Sequence, residues 1–119
     1  MSELNIKAHI LGFPRIGENR EHKKAVEAYW NGQESLENLL ETGLQIQKNN
    51  WAMQKKAGLD FITVGDFSWY DHVLDHSFIF GVIPERFKLA QAHIDLNTLF
   101  CMARGQAPKT QETTACEMT

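Results

Sequence analysis

Arg20-Glu21-His22-Lys23-Lys24 sets three cations, a carboxylate and an imidazole side by side, directly after the Gly- and Pro-bearing run LGFPRIGEN. At the start of a helix the first backbone N–H groups lack partners and the dipole is positive. Cations placed there are locally unfavourable, so an anion that neutralises them is favoured. Arg20 offers a planar fork for a carboxylate or phosphate, and Lys23, three residues on, adds a point charge on the same face. A solvated basic turn is the plainer reading of the same residues. The stretch is not a phosphate-binding P-loop, because GxxxxGK[ST] is absent.

A second group lies in Gly65-Asp66-Phe67-Ser68-Trp69-Tyr70-Asp71. It follows an apolar, β-branched run, and α/β folds place their functional groups at the carboxyl ends of such strands. Asp66 and Asp71 could bind a polar substrate or serve as acid and base. Alternatively, Asp66 or Ser68 caps a helix beneath which Trp69 and Tyr70 pack. His72 and His76 stand at i, i+4, a spacing that can bind a metal. The Glu of HExxH is missing, so a polar helix face is the preferred reading and no metal ligand is assigned. Neither a nucleophile elbow nor a Ser-His-Asp order is present, so no catalytic residue is assigned. Cys101 and Cys116 are read as reduced thiols, too few for a thiolate zinc cluster.

The elements that must position these groups follow from periodicity and punctuation. Residues 7–11 predict a strand that Gly12 and Pro14 end, since proline lacks the N–H and fixes φ. A helix is expected over 20–30, stopped by Asn31-Gly32. A longer one is expected over 35–57, with Leu36, Leu39, Leu40, Leu44 and Trp51 near the helical period and Gly58 closing it. Residues 61–64 predict a buried strand. A third helix runs from Asp66 or Ser68 to about Phe80, and a loop containing Pro84 follows. Asp95 caps a last helix bearing Leu96, Leu99, Phe100 and Ala103. Trp30 and Trp51 are expected in the core, and residues 105–119 as a loop or frayed end.

The order strand, helices, strand, helices predicts an α/β fold with parallel strands, helix-rich in this chain. Two strands are too few to complete a parallel sheet, so the chain is read as part of a larger unit. With 43 % apolar and 23 % charged residues, the 119-residue chain suits a globular domain rather than a disordered one. A net charge of −3 gives no global attraction to nucleic acid or to an anionic membrane, and neither is an expected partner. No apolar run approaches the ~20 residues that span a bilayer, nor does the start resemble a secretory signal, so a cytoplasmic location is expected.

The segments LGFPRIGENREHKKAVEAYWNG, NNWAMQKKAGLDFITVGDFSWYDHVLD and DLNTLFCMARGQAP, with the closing EMT, resemble the cobalamin-independent methionine synthases. These are the 5-methyltetrahydropteroyltriglutamate–homocysteine methyltransferases, and the resemblance covers nearly the whole chain. It implies that residues 1–119 form the first part of an N-terminal (β/α)8 TIM-type barrel, incomplete here because such a barrel takes ~250 residues. It also implies a second barrel holding the catalytic zinc and the homocysteine site, neither of which is in this sequence. Cobalamin plays no part. Zinc would bind the substrate thiol and stabilise its thiolate.

The family's basic Arg-Glu-x-Lys segment, which helps hold the folate polyglutamate tail, falls here on Arg20, Glu21, His22 and Lys23. The family more often has Leu at the position of His22. A further family lysine would follow the EMT at 117–119. Gripping a multi-carboxylate tail far from the reacting atom supplies orientation rather than bond making. Alone, this chain is expected to be inactive and, as an incomplete barrel, to self-associate through sheet edges. The competing expectation is a free-standing, non-catalytic anion-binding or interaction module.

Overall fold

The structure, a computed structural model, describes residues 4–87 and 95–105. The expectations for Cys116, the EMT at 117–119 and the tail beyond Gly105 lie outside these residues. Among the described residues the regular elements are helical: α1 (Glu21–Trp30), α2 (Leu36–Lys56), α3 (His72–Ile79), a 3₁₀ turn (Glu85–Phe87) and α4 (Leu96–Arg104).

Local chemistry sets most helix ends. Ser35 caps α2 by accepting a hydrogen bond from the Asn38 amide at 3.1 Å. Glu37 in its first turn and Lys55 and Lys56 in its last complement the dipole. Past Ala57 the chain turns at Gly58, whose φ of 81° is costly for a residue bearing Cβ. The Leu59 amide then reaches the Gln54 carbonyl and the Gly58 amide reaches Lys55, which closes a Schellman motif. α1 ends in the same way at Gly32. Asp95 caps α4 through the Thr98 amide, as the sequence predicts.

α3 begins later than expected. Its cap is Asp71, whose Oδ1 accepts from the amides of Val73 at 2.7 Å and Leu74 at 3.0 Å. Asp66 and Ser68 are not helix caps here: the Asp66 carboxylate accepts from the Phe13 amide and the Ser68 hydroxyl accepts from Arg15.

The expected strands at 7–11 and 61–64 do not form as strands, and no strand occurs among the described residues. The two segments nonetheless lie side by side and run parallel. The Thr63 hydroxyl donates to the Ile10 carbonyl, and the Asp66 carboxylate accepts from the Phe13 amide at 2.7 Å, both 53 positions apart. Nearby, the Asp60 carboxylate accepts from the Ala8 amide at 2.7 Å. Side-chain groups thus occupy places that a parallel ladder would give to backbone partners. An isolated parallel pair, uncovered by further strands, has too little burial to impose that ladder.

The core joins Val26 and Tyr29 of α1, Leu39 of α2 and Leu99 and Phe100 of α4. Tyr29 donates its hydroxyl to Asn97 at 2.5 Å. Trp30 packs against this cluster, edge-on to Phe100 at 5.3 Å, with the Arg104 guanidinium 3.6 Å above its ring. Trp51 is only half-buried, contrary to expectation. On α2 the buried line is Leu39, Gly43 and Ile46, while Leu36, Leu40 and Leu44 are exposed. The apolar face of α2 is wider than the surface that α1 covers. No described helix is long and apolar enough to cross a membrane.

Candidate functional site

Residues 12–20 form a loop that brings Arg20 to the N-cap of α1 in the left-handed region, with φ 62° and ψ 34°. It is the one non-glycine residue with positive φ among those described. Such a conformation costs a residue with Cβ roughly 1–2 kcal/mol. Two backbone contacts impose it: the Arg20 amide donates to the Gly17 carbonyl at 3.3 Å, and the His22 amide to Ile16 at 3.2 Å. The Arg20 guanidinium is exposed and makes no ion pair among the described residues.

Glu21 turns back over the loop. Its carboxylate accepts from the Asn19 amide at 2.9 Å and from the Asn19 side chain at 3.3 Å. Its own backbone amide, those Asn19 donors and Lys24 hold its pKa below the usual carboxylate value, while slight burial works the other way. Lys23 is exposed and sits 3.5 Å from Glu27, one helical turn on. An exposed pair of this kind contributes little to stability, so Lys23 can exchange Glu27 for another anion at small cost.

His22 faces inward, away from Lys23. Its ring stacks on Trp69 at 5.6 Å and 21°, and meets Phe67 edge-on at 5.6 Å. Burial, then the charge of Arg15, push its pKa below the ordinary imidazole value, and the backbone of Ser68 and Trp69 opposes this weakly. An aromatic slot of this kind equally suits a leucine. The segment therefore brings Arg20 and Lys23 to solvent, uses Glu21 to shape the loop and uses His22 to seat the helix.

Arg15, which sequence reasoning assigned no role, ties this region together. Its guanidinium donates to the Ser68 hydroxyl and to the Tyr70 carbonyl. A contact across so many positions has no local signature. Arginine directly after the turn proline was the one available hint.

Asp66 and Asp71 are not brought together. Asp66 accepts from the Phe13 amide and lines a cleft of about 540 Å³ with Leu11, Thr63, Gly65 and His72. Asp71 lies outside that cleft and caps α3. His76 donates its Nδ1–H to the His72 carbonyl at 2.7 Å. Among the described residues no three His, Cys, Asp or Glu side chains converge as metal ligands. This donor set does not fit zinc.

A wider groove of about 690 Å³ opens between the loop and α2, with Glu18, Glu21 and Glu41 at its edges and Ile46 and Met53 on its wall. Its carboxylates repel an anionic ligand.

Residues 7–119 match the family model described as "Cobalamin-independent synthase, N-terminal domain". A 5-methyltetrahydropteroyltriglutamate–homocysteine methyltransferase of Coxiella burnetii (strain RSA 493 / Nine Mile phase I) is 57 % identical over 114 residues, which is 96 % of this chain and 15 % of that protein. The protein of the same name from Photorhabdus laumondii is 52 % identical over 111 residues, 93 % of this chain and 15 % of its own length. That from Citrobacter koseri is 47 % identical over 116 residues, 98 % and 15 %. The chain thus spans about 15 % of the length of these relatives. On the family match and these identities together, it belongs to the cobalamin-independent methionine synthases, within their N-terminal domain.

Proposed function

We propose that this chain is a section of the first barrel, of (β/α)8 type, in a cytoplasmic methyltransferase that moves the methyl group of 5-methyltetrahydropteroyltriglutamate to homocysteine. Its part is to help hold the polyglutamate tail. The observation that carries this reading is Arg20, kept in a strained left-handed conformation at the N-cap of α1 with its side chain exposed, three residues before the exposed Lys23. A strained left-handed residue whose exposed guanidinium makes no ion pair among the described residues is a candidate for facing a ligand.

Arg20 and Lys23 are the groups that meet the carboxylates, Arg20 as a two-donor fork and Lys23 as a point charge. Glu21 and His22 hold the segment in shape. Tail binding of this kind orients the pterin end without touching the reacting atoms. The chemical step belongs to groups outside this chain, and the chain alone is expected to be inactive.

Parallel, exposed segments at 4–11 and 60–66 support the barrel reading. Leu4, Ile6 and Leu11 are 82 %, 73 % and 93 % exposed, an apolar edge that a completed sheet would cover and that otherwise promotes self-association. A free-standing anion-binding module is the second reading, favoured by the closed cluster of Val26, Tyr29, Leu39, Leu99 and Phe100. Sedimentation separates them: a compact monomer with a cooperative melt supports the module, and association supports the barrel section.

The functional test is direct. The chain incubated with methylated triglutamate folate, homocysteine and zinc should yield no methionine. In a complete enzyme of the family carrying this segment, replacing both Arg20 and Lys23 with Ala should weaken the triglutamate more than the monoglutamate folate. Equal weakening of both would remove the tail-binding role.

A further inference from the structure

Tail binding leaves one titratable group of α1 without a chemical use. His22 is 6 % exposed, and its Nε2 is buried with no hydrogen-bond partner. Its ring lies flat on Trp69 and against the edge of Phe67, and these two rings meet edge-to-face at 5.1 Å. Behind them α2 presents Gly43, which lies against both Trp69 and Phe67. The slot is closed by three segments of the chain.

The charges around it are few. Arg15, from the first loop, is the charged group that faces His22. Residues 67–69 bring no titratable side chain, and α2 brings a glycine. On α1 itself, Glu21 is engaged with Asn19 and Lys23 with Glu27. Among the described residues no carboxylate is set to receive a proton-bearing imidazole.

We propose that His22 is an acid-sensitive latch: neutral, it seats the first turn of α1 on residues 67–69, and once protonated it leaves that slot. An imidazolium would gain some cation–π attraction from Trp69. Against this stand lost hydration and the like charge of Arg15. Burial and Arg15 outweigh the ring attraction and the weak backbone contacts of Ser68 and Trp69, and the neutral ring is the form that fits.

The sign follows from linkage. The folded-state pKa lies below the ordinary imidazole value, so the folded chain binds fewer protons than the unfolded chain. The latch contributes fully above the unfolded value of about 6.5 and is lost as pH falls from there through the folded value. This behaviour is independent of what Arg20 and Lys23 bind.

Proton NMR of the 119-residue chain, from about pH 8 to about pH 4, tests the latch across the histidine range. The His22 ring should titrate at a higher proton concentration than in the urea-unfolded chain. The amides of Phe67, Ser68 and Trp69 should move with the same midpoint. In His22→Leu that shared transition should vanish, and the urea midpoint should flatten over the same range. Titration of His22 at its unfolded value would overturn the latch. So would amides at 67–69 that respond identically in His22→Leu. Should that variant not fold, the wild-type ring and amide midpoints decide alone.

Discussion

Gly43 and Trp69 touch so closely that a Cβ at residue 43 would lie 2.5 Å from Cη2 of the indole. A helix-interior glycine is locally unfavourable, yet here it is what lets the indole pack against α2. Gly43→Ala trades about 1 kcal/mol of helix propensity for an overpacking cost of about 1–3 kcal/mol. The variant should be less stable by about 1 kcal/mol in urea unfolding, and the indole environment should change with it. A gain in stability would mean that Trp69 can move aside freely.

Arg15 serves two acceptors, one of them the hydroxyl of Ser68, which is fully buried. Arg15→Ala leaves that hydroxyl unpaired and should cost about 1–3 kcal/mol. Arg15→Lys should recover little, because a single ammonium cannot reproduce the planar fork. Urea midpoints of the two variants check this.

Arg20→Gly separates stability from binding. The substitution relieves about 1–2 kcal/mol of left-handed strain and adds about 0.5–1 kcal/mol of unfolded-state entropy. Stability should rise by about 0.5–1 kcal/mol on that balance. Affinity of the complete enzyme for triglutamate folate should fall at the same time. Salt should weaken what binding remains, since exposed charges are screened beyond about 8–10 Å at physiological ionic strength.

Asp75 gives a pH dependence opposite in sense to that of His22. Its Oδ1 is buried without a partner. Burial raises its pKa, Asp71 adds to the shift, and His72, Arg15 and His76 oppose it. The folded chain therefore binds the proton more tightly than the unfolded chain, and this contribution weakens as pH rises through the carboxylate range. Asp75→Asn should raise the urea midpoint more at about pH 7 than at about pH 3.

What could be read in the sequence divides along a physical line. The cap at Asp95 and the stops at Gly32 and Gly58 depend on residues within one turn, and each stands where the sequence puts it, while Ser35, expected as the first residue of α2, is its cap. The start of α3 was harder, because Asp66, Ser68 and Asp71 all suit an N-cap. The choice among them was made by Arg15, far away in the chain. The strands were illegible for a related reason: β-propensity expresses itself only against neighbours, and among the described residues no further strand flanks segments 7–11 and 61–64. In REHKK the cluster of charge was plain. Which of its members turn inward was not, since that depends on the aromatic slot made by Phe67 and Trp69.

The links Ile10–Thr63, Phe13–Asp66 and Arg15–Ser68 all span the same 53 positions. Everything between them, α1 and α2 included, is therefore a closed lobe whose two roots are stitched in fixed register. A backbone cut at the α1–α2 turn would open this lobe without unstitching its roots. Length changes confined to residues 31–34 would leave the stitching intact, whereas a single residue added between 10 and 15 would throw the rungs out of step.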